Sequence, residues 1–183
     1  MKNLVFLIPI FALGACVSFE HYTDPVAAQD GIKCDYDSFS DQVSCHMQEI
    51  GTCGDNRPAT RAFCSFPSSH MYFKTVFTGD KEIAAYGLNG YIRATDWKRP
   101  YRVTDNTGKD FDFEHVDSKV ESCAQGICRT KEYISIHLDR NYIVRHINTG
   151  ISMKVYGKRG STLITIPAAY VAGFNNFLQS EGL

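Results

Sequence analysis

The chain carries almost no net charge. Its 183 residues hold 19 Lys and Arg against 20 Asp and Glu, a formal balance of −1. Such a balance gives no broad pull toward nucleic acid or anionic lipid, and nucleic acid is not an expected partner. Beyond the N-terminal segment no apolar run reaches the roughly 18 residues a membrane span needs. Tryptophan is scarce, with Trp97 the only one. The common catalytic strings are absent: no H-E-x-x-H, no G-x-S-x-G, no Walker A and no G-x-G-x-x-G. No C-x-x-C pair occurs, so neither dithiol redox chemistry nor haem attachment is indicated. No catalytic residue, metal or cofactor is therefore expected.

What is present begins at the N-terminus. Lys2 precedes the ten-residue, largely apolar stretch Leu4–Leu13, and the small residues Gly14 and Ala15 follow it. This is the three-part layout of a secretory signal, too short to span a bilayer as a lasting helix. Cys16 comes next, and Leu13-Gly14-Ala15-Cys16 resembles the lipobox of bacterial lipoproteins. The resemblance covers residues 1–17 only. It implies cleavage before Cys16 and acylation of Cys16, with more than one chain giving stable anchoring. It also implies a bacterial envelope location, and Val17 after the cysteine favours the outer membrane over the inner. Residues 1–15 are then a signal peptide and 16–33 a lipid-anchored tether, with Asp24-Pro25 and Asp30-Gly31 as turn formers. Residues 34–183 form a single domain of ordinary size.

Seven cysteines stand at 16, 34, 45, 53, 64, 123 and 128. With Cys16 acylated, six remain in an oxidising compartment. Ten residues separate Cys34 from Cys45, and ten separate Cys53 from Cys64. That spacing favours the local bridges 34–45, 53–64 and 123–128. A nested alternative joins 34 to 64 and 45 to 53. The intervals lack the tight knuckle of a zinc site.

Residues 38–51 read two ways. Ser38 and Asp41 resemble a capping box, and Phe39, Val43, Met47 and Ile50 share one helical face ahead of Gly51, which predicts a helix. The rival is a short strand near Gln42–Met47. Strand patterns follow at Met71–Phe77, Leu88–Thr95, Tyr101–Thr104, Asp110–Val116, Glu132–Leu138, Ile151–Tyr156 and Ser161–Ile166. In Glu132–Leu138 the alternation puts Ile134, Ile136 and Leu138 inward. Asp110, Asp112 and Glu114 share a face that should be solvated. Asp139 can cap a short helix that Gly150 ends. Lys158-Arg159-Gly160 reads as a hairpin turn. Pro167 opens a final helix whose Tyr170, Val171, Phe174, Phe177 and Leu178 should dock on a sheet. The expected class is α+β: a mostly antiparallel sheet with two or three packed helices, stabilised by disulfides.

The best candidate for contact is the segment from Tyr91 to Arg102. Tyr91, Arg93, Trp97, Arg99, Tyr101 and Arg102 combine apolar area with hydrogen bonding, and Trp, Tyr and Arg dominate interface energetics. Aromatic side chains there can also stack on sugars. For catalysis the best single lead is His137 near Asp139. The reading that results is an envelope-anchored, non-enzymatic binding or structural module with a protein or glycan partner. A lipid-anchored hydrolase of cell-wall or surface polymer, and an envelope-protecting enzyme inhibitor, are the alternatives. A contiguous aromatic patch would favour binding, whereas a cleft holding a Ser or carboxylate beside His115 or His137 would favour an enzyme.

Overall fold

Period-two burial runs through most of the chain. A computed structural model describes residues 23–52, 68–82 and 84–183. Among the described residues, two antiparallel sheets and three helices make an α+β fold. The larger sheet contains β1 (Lys33–Asp37), β2 (Gln42–His46), β3 (Ile50–Thr52), β4 (Ser69–Thr78), β5 (Ala84–Ala94), β8 (Phe113–Ala124) and β9 (Ile127–Leu138). Its order is β1-β2-β4-β5-β9-β8, with β3 also paired to β4. The smaller sheet contains β6 (Pro100–Asp105), β7 (Asp110–Phe111), β10 (Ile151–Gly157) and β11 (Gly160–Ile166), in the order β11-β10-β6-β7.

The helices are α1 (Pro25–Asp30), α2 (Arg140–Arg145) and α3 (Ala168–Ser180). As the sequence suggests, Asp139 caps α2, accepting from Tyr142 N at 2.6 Å. The stripe on α3 docks as expected: Tyr170, Val171, Phe174, Phe177 and Leu178 are buried. Phe73 of β4 stacks on Phe174 at 4.7 Å and on Tyr170 at 5.6 Å. One hydrophobic cluster joins these residues to Leu88, Ile134 and Ile136 of the large sheet and to Val103, Met153 and Ile164 of the small one.

Two expectations are corrected. Residues 42–46 form a strand, not the predicted helix. Cys34 lies opposite Cys45 in the β1–β2 ladder, and a disulfide joins them. The Ser38–Asp41 pattern belongs to the hairpin turn: Asp37 accepts from Phe39 N and Ser40 Oγ, and Phe39 is fully exposed. Burial therefore follows the two-residue period of Cys45 and Met47. The second correction concerns the tether. Asp24-Pro25 is a helix start rather than a loose turn, because Asp24 accepts from Val26 N at 2.9 Å and Pro25 occupies the first helical position. Ala28 of α1 is buried against α3.

Residues 117–131 had shown no strand pattern, yet β8 and β9 form a hairpin of two 12-residue strands. β8 is almost wholly exposed and carries register shifts at His115/Asp117 and Val120/Ser122. The Cys123–Cys128 disulfide closes its tip, where Gln125 and Gly126 both take positive φ. The bridges 34–45 and 123–128 thus form as the spacing favours, and the nested alternative is excluded. Cys53 and Cys64 lie outside the described residues, as do Cys16 and the lipobox.

Gly173 is where α1 and α3 meet. A Cβ there would lie 2.6 Å from the Pro25 carbonyl oxygen and 2.7 Å from the Ala28 Cβ. Gly173→Leu should therefore push α1 off α3 at a cost of about 1–3 kcal/mol. Urea unfolding would give the loss, and hydrogen exchange should show α1 amides losing protection while β4, β5 and β9 keep theirs. Retained protection in α1 would contradict this account.

Candidate functional site

The chain leaves the large sheet at the end of β5 and enters the small one at β6, and residues 95–99 make that crossing. A buried carboxylate fixes it. Glu132 on β9 is 1% exposed. Its two oxygens accept from Lys98 N at 2.6 Å and from Arg99 N at 2.8 Å. Arg99 takes positive φ (53°), which helps turn both amides toward the one carboxylate. The tip of the β10–β11 hairpin holds the loop from the other side. Lys158 N and Arg159 N donate to the Arg99 and Lys98 carbonyls, each at 3.3 Å. Gly157 permits this approach, since a Cβ there would lie 2.4 Å from the Lys98 oxygen. Arg159 pairs with Asp96 and holds that carboxyl below the usual carboxylate range.

The clamped loop forms one wall of an open cleft of about 420 Å³, which Trp97, Arg99, Pro100, Tyr101, His115, Ser118, Glu132 and Lys158 line. Trp97 is half-buried and Tyr101 is 59% exposed. Ser118 Oγ and His115 Nε2 lie 2.8 Å apart on the β8 wall. Arg102 on β6 is paired with Asp110, and on the other face of the large sheet Lys119 is paired with Asp117 and Arg93 and Lys131 with Glu121. Arg99 and Lys158 have no ion-pair partner among the described residues.

The structure divides the six residues proposed from sequence. Trp97, Arg99 and Tyr101 meet in the cleft. Tyr91 and Arg93 lie on the opposite face of the large sheet. Tyr91 is 8% exposed, stacks on His70 at 4.9 Å and lies under Lys131 Nζ at 4.4 Å. Burial pushes its hydroxyl up from the ordinary tyrosine value. Arg93 is tied to Glu121 at 2.8 Å. Arg102 lies on the small sheet, held by both oxygens of Asp110. Ser118, Glu132 and Lys158 complete the cleft and had not been singled out as site residues. Period two does place Glu132 on the inward face with Ile134, and that was the available signal for it.

Stacking and charge recognition are what this arrangement offers. Acyl transfer needs more than a Ser–His contact: an orienting acid on the imidazole and free oxyanion donors. No carboxylate hydrogen-bonds His115 Nδ1 among the described residues, and Glu132 occupies the Lys98 and Arg99 amides. His137 and Asp139 do not act together. His137 is exposed, while Asp139 caps α2 and binds Lys109 at 2.9 Å. A larger open hollow of about 750 Å³ lies between α1 and strands β1, β2 and β4. There Lys33 and Lys74 alternate with Asp30, Asp35 and Glu49, and Tyr72 stands edge-on to His46 at 6.1 Å. No group of three or more His, Cys, Asp or Glu among the described residues is placed to hold a metal. No described helix is long and apolar enough to cross a membrane.

Glu132 offers a direct test of the clamp. Glu132→Gln keeps one acceptor but turns an NH₂ group toward the other amide. It should cost about 1–3 kcal/mol of stability and release the loop. Because Trp97 is the only tryptophan, its emission reports that release, and a red shift in the folded variant is expected. Unchanged stability and emission would show that the loop is held by other contacts. In comparison with known proteins, no family model matches the chain, and neither a curated protein nor a solved structure is significantly similar to it.

Proposed function

We propose that this chain is an envelope-anchored bacterial lipoprotein whose domain recognises another envelope or extracellular component without catalysis. The observation that carries the recognition part is one convergence. The sole tryptophan, an exposed tyrosine and two cations with no ion-pair partner among the described residues line a single open cleft. Aromatic and Arg side chains are the types that concentrate binding energy. The anchoring part rests on Leu13–Cys16 and its place after the apolar core. A fixed anchor raises the local concentration of a nearby partner, so modest affinity suffices.

The hydrolase reading keeps one specific observation in its favour, the Ser118–His115 contact at 2.8 Å inside this cleft. The two readings diverge on Ser118→Ala. A hydrolase loses turnover of its polymer in that variant, whereas a recognition cleft shows no turnover in the wild type and loses at most one hydrogen bond to its ligand.

Two outcomes test the proposal. Metabolic labelling with a clickable palmitate analogue should mark the wild type and not Cys16→Ser; label retained by that variant would remove the anchor. Pull-down from crosslinked envelopes should recover a partner that Trp97→Ala and Tyr101→Ala both lose. If Trp97 anchors that contact, its truncation should weaken binding by about 2 kcal/mol or more. Its stability cost should stay below the roughly 3–5 kcal/mol of a fully buried aromatic. Equal recovery by both folded variants would rule the cleft out as the contact face.

A further inference from the structure

We propose that the cleft binds a saccharide carrying an anionic group, a carboxylate or a phosphate. This rests on the recognition reading above and names its ligand class. The cleft's volume of about 420 Å³ falls in the range of small-ligand sites, roughly 300–1,000 Å³. Pro100 is the one aliphatic ring among the described lining residues, and no Leu, Ile, Val or Met joins it. A protein–protein hot spot has an apolar, desolvated centre, and this cleft instead presents aromatic rings, hydroxyls and cations. Trp97 and Tyr101 offer flat apolar surface beside polar edges, which suits the C–H face of a sugar ring.

The charge pattern selects an acidic sugar over a neutral one. Arg99 and Lys158 stand on the loop and hairpin-tip walls without an ion-pair partner among the described residues, while Arg159 beside Lys158 is paired with Asp96 and Arg102 of β6 with Asp110. Among the described residues Glu132 is the only carboxylate on the cleft wall. It is 1% exposed and both of its oxygens are engaged by backbone amides, so it presents almost no surface to a ligand. Arg99 supplies a planar fork for two acceptor oxygens and Lys158 a compact charge. On the β8 wall, Ser118 Oγ and His115 Nε2 can each donate or accept, the versatility that ring hydroxyls require.

Titration of the full chain in detergent tests this, with Trp97 emission and calorimetry as readouts. The probes are trigalacturonate for the carboxylate, mannose 6-phosphate for the phosphate and the neutral trisaccharide galactotriose as control. At least one acidic probe should bind, about tenfold or more tighter than the neutral sugar, and added salt should weaken it. Arg99→Gln with Lys158→Gln, both at exposed positions, should leave the fold intact and abolish that preference. Trp97→Ala should weaken all sugar binding about tenfold or more. Equal binding of acidic and neutral sugars would overturn the charge assignment. Failure of both acidic probes, with a protein partner still recovered in a Trp97-dependent way, would overturn the saccharide and leave the recognition reading standing.

Discussion

The Glu132 carboxylate is the interaction on which the geometry of the cleft depends. It stands on β9 in the large sheet and grips the backbone where the chain passes to the small sheet. A buried charge with no partner is strongly disfavoured, so the loop and the carboxylate require each other. That mutual need fixes Trp97, Arg99 and Tyr101 in front of the β8 wall. Hydrogen bonds to a charged acceptor are worth more than neutral ones, about 1.5–3 kcal/mol each. Two of them outweigh the strain of a positive φ at Arg99.

The β10–β11 hairpin completes the clamp and brings charge with it. Its backbone donates to the loop carbonyls, while Lys98 Nζ reaches back to the Arg159 carbonyl at 3.2 Å. Arg159 is neutralised by Asp96, but Lys158 beside it is not. A turn that reads in sequence as a solvated tip is therefore also one wall of the site. The face of the large sheet turned away from the cleft shows the contrasting arrangement. There Lys131 and Arg93 share Glu121, and both stand over the Tyr91 ring. Aromatic and cationic residues occur on both faces, but in the cleft Arg99 and Lys158 have no ion-pair partner among the described residues.

How much of this was legible in the sequence follows from which residues have a buried side. Strands β4 and β9 and helix α3 each press one face on the core, so their periods were visible. Residues 39–50 satisfied two periods at once, since Phe39, Val43, Met47 and Ile50 fit a helix while Val43, Cys45 and Met47 fit a strand. What decides between them is the covalent tie to Cys34 across a tight turn, together with pairing to β4. Strand β8 has no buried face over most of its length, so it left no alternation to read. The three cleft residues found from sequence are neighbours in the chain. Meeting His115, Ser118 and Lys158 takes long-range strand pairing, which no local pattern encodes.

The exposed β8 strand has a consequence for the molecule among its own copies. Among the described residues it is an outer strand of the sheet, 12 residues long and paired with β9 alone. An edge of that length is a template onto which a neighbouring chain can add a strand, and repeated addition builds aggregates. Its two register shifts interrupt the regular run after a few residues and increase the local twist. Asp117, Lys119 and Glu121 put charge along the same stretch. Both features oppose the addition of a further strand along this edge. The missing buried face hid this strand from a periodic reading of the sequence, and the same exposure is what makes its register shifts and charges matter.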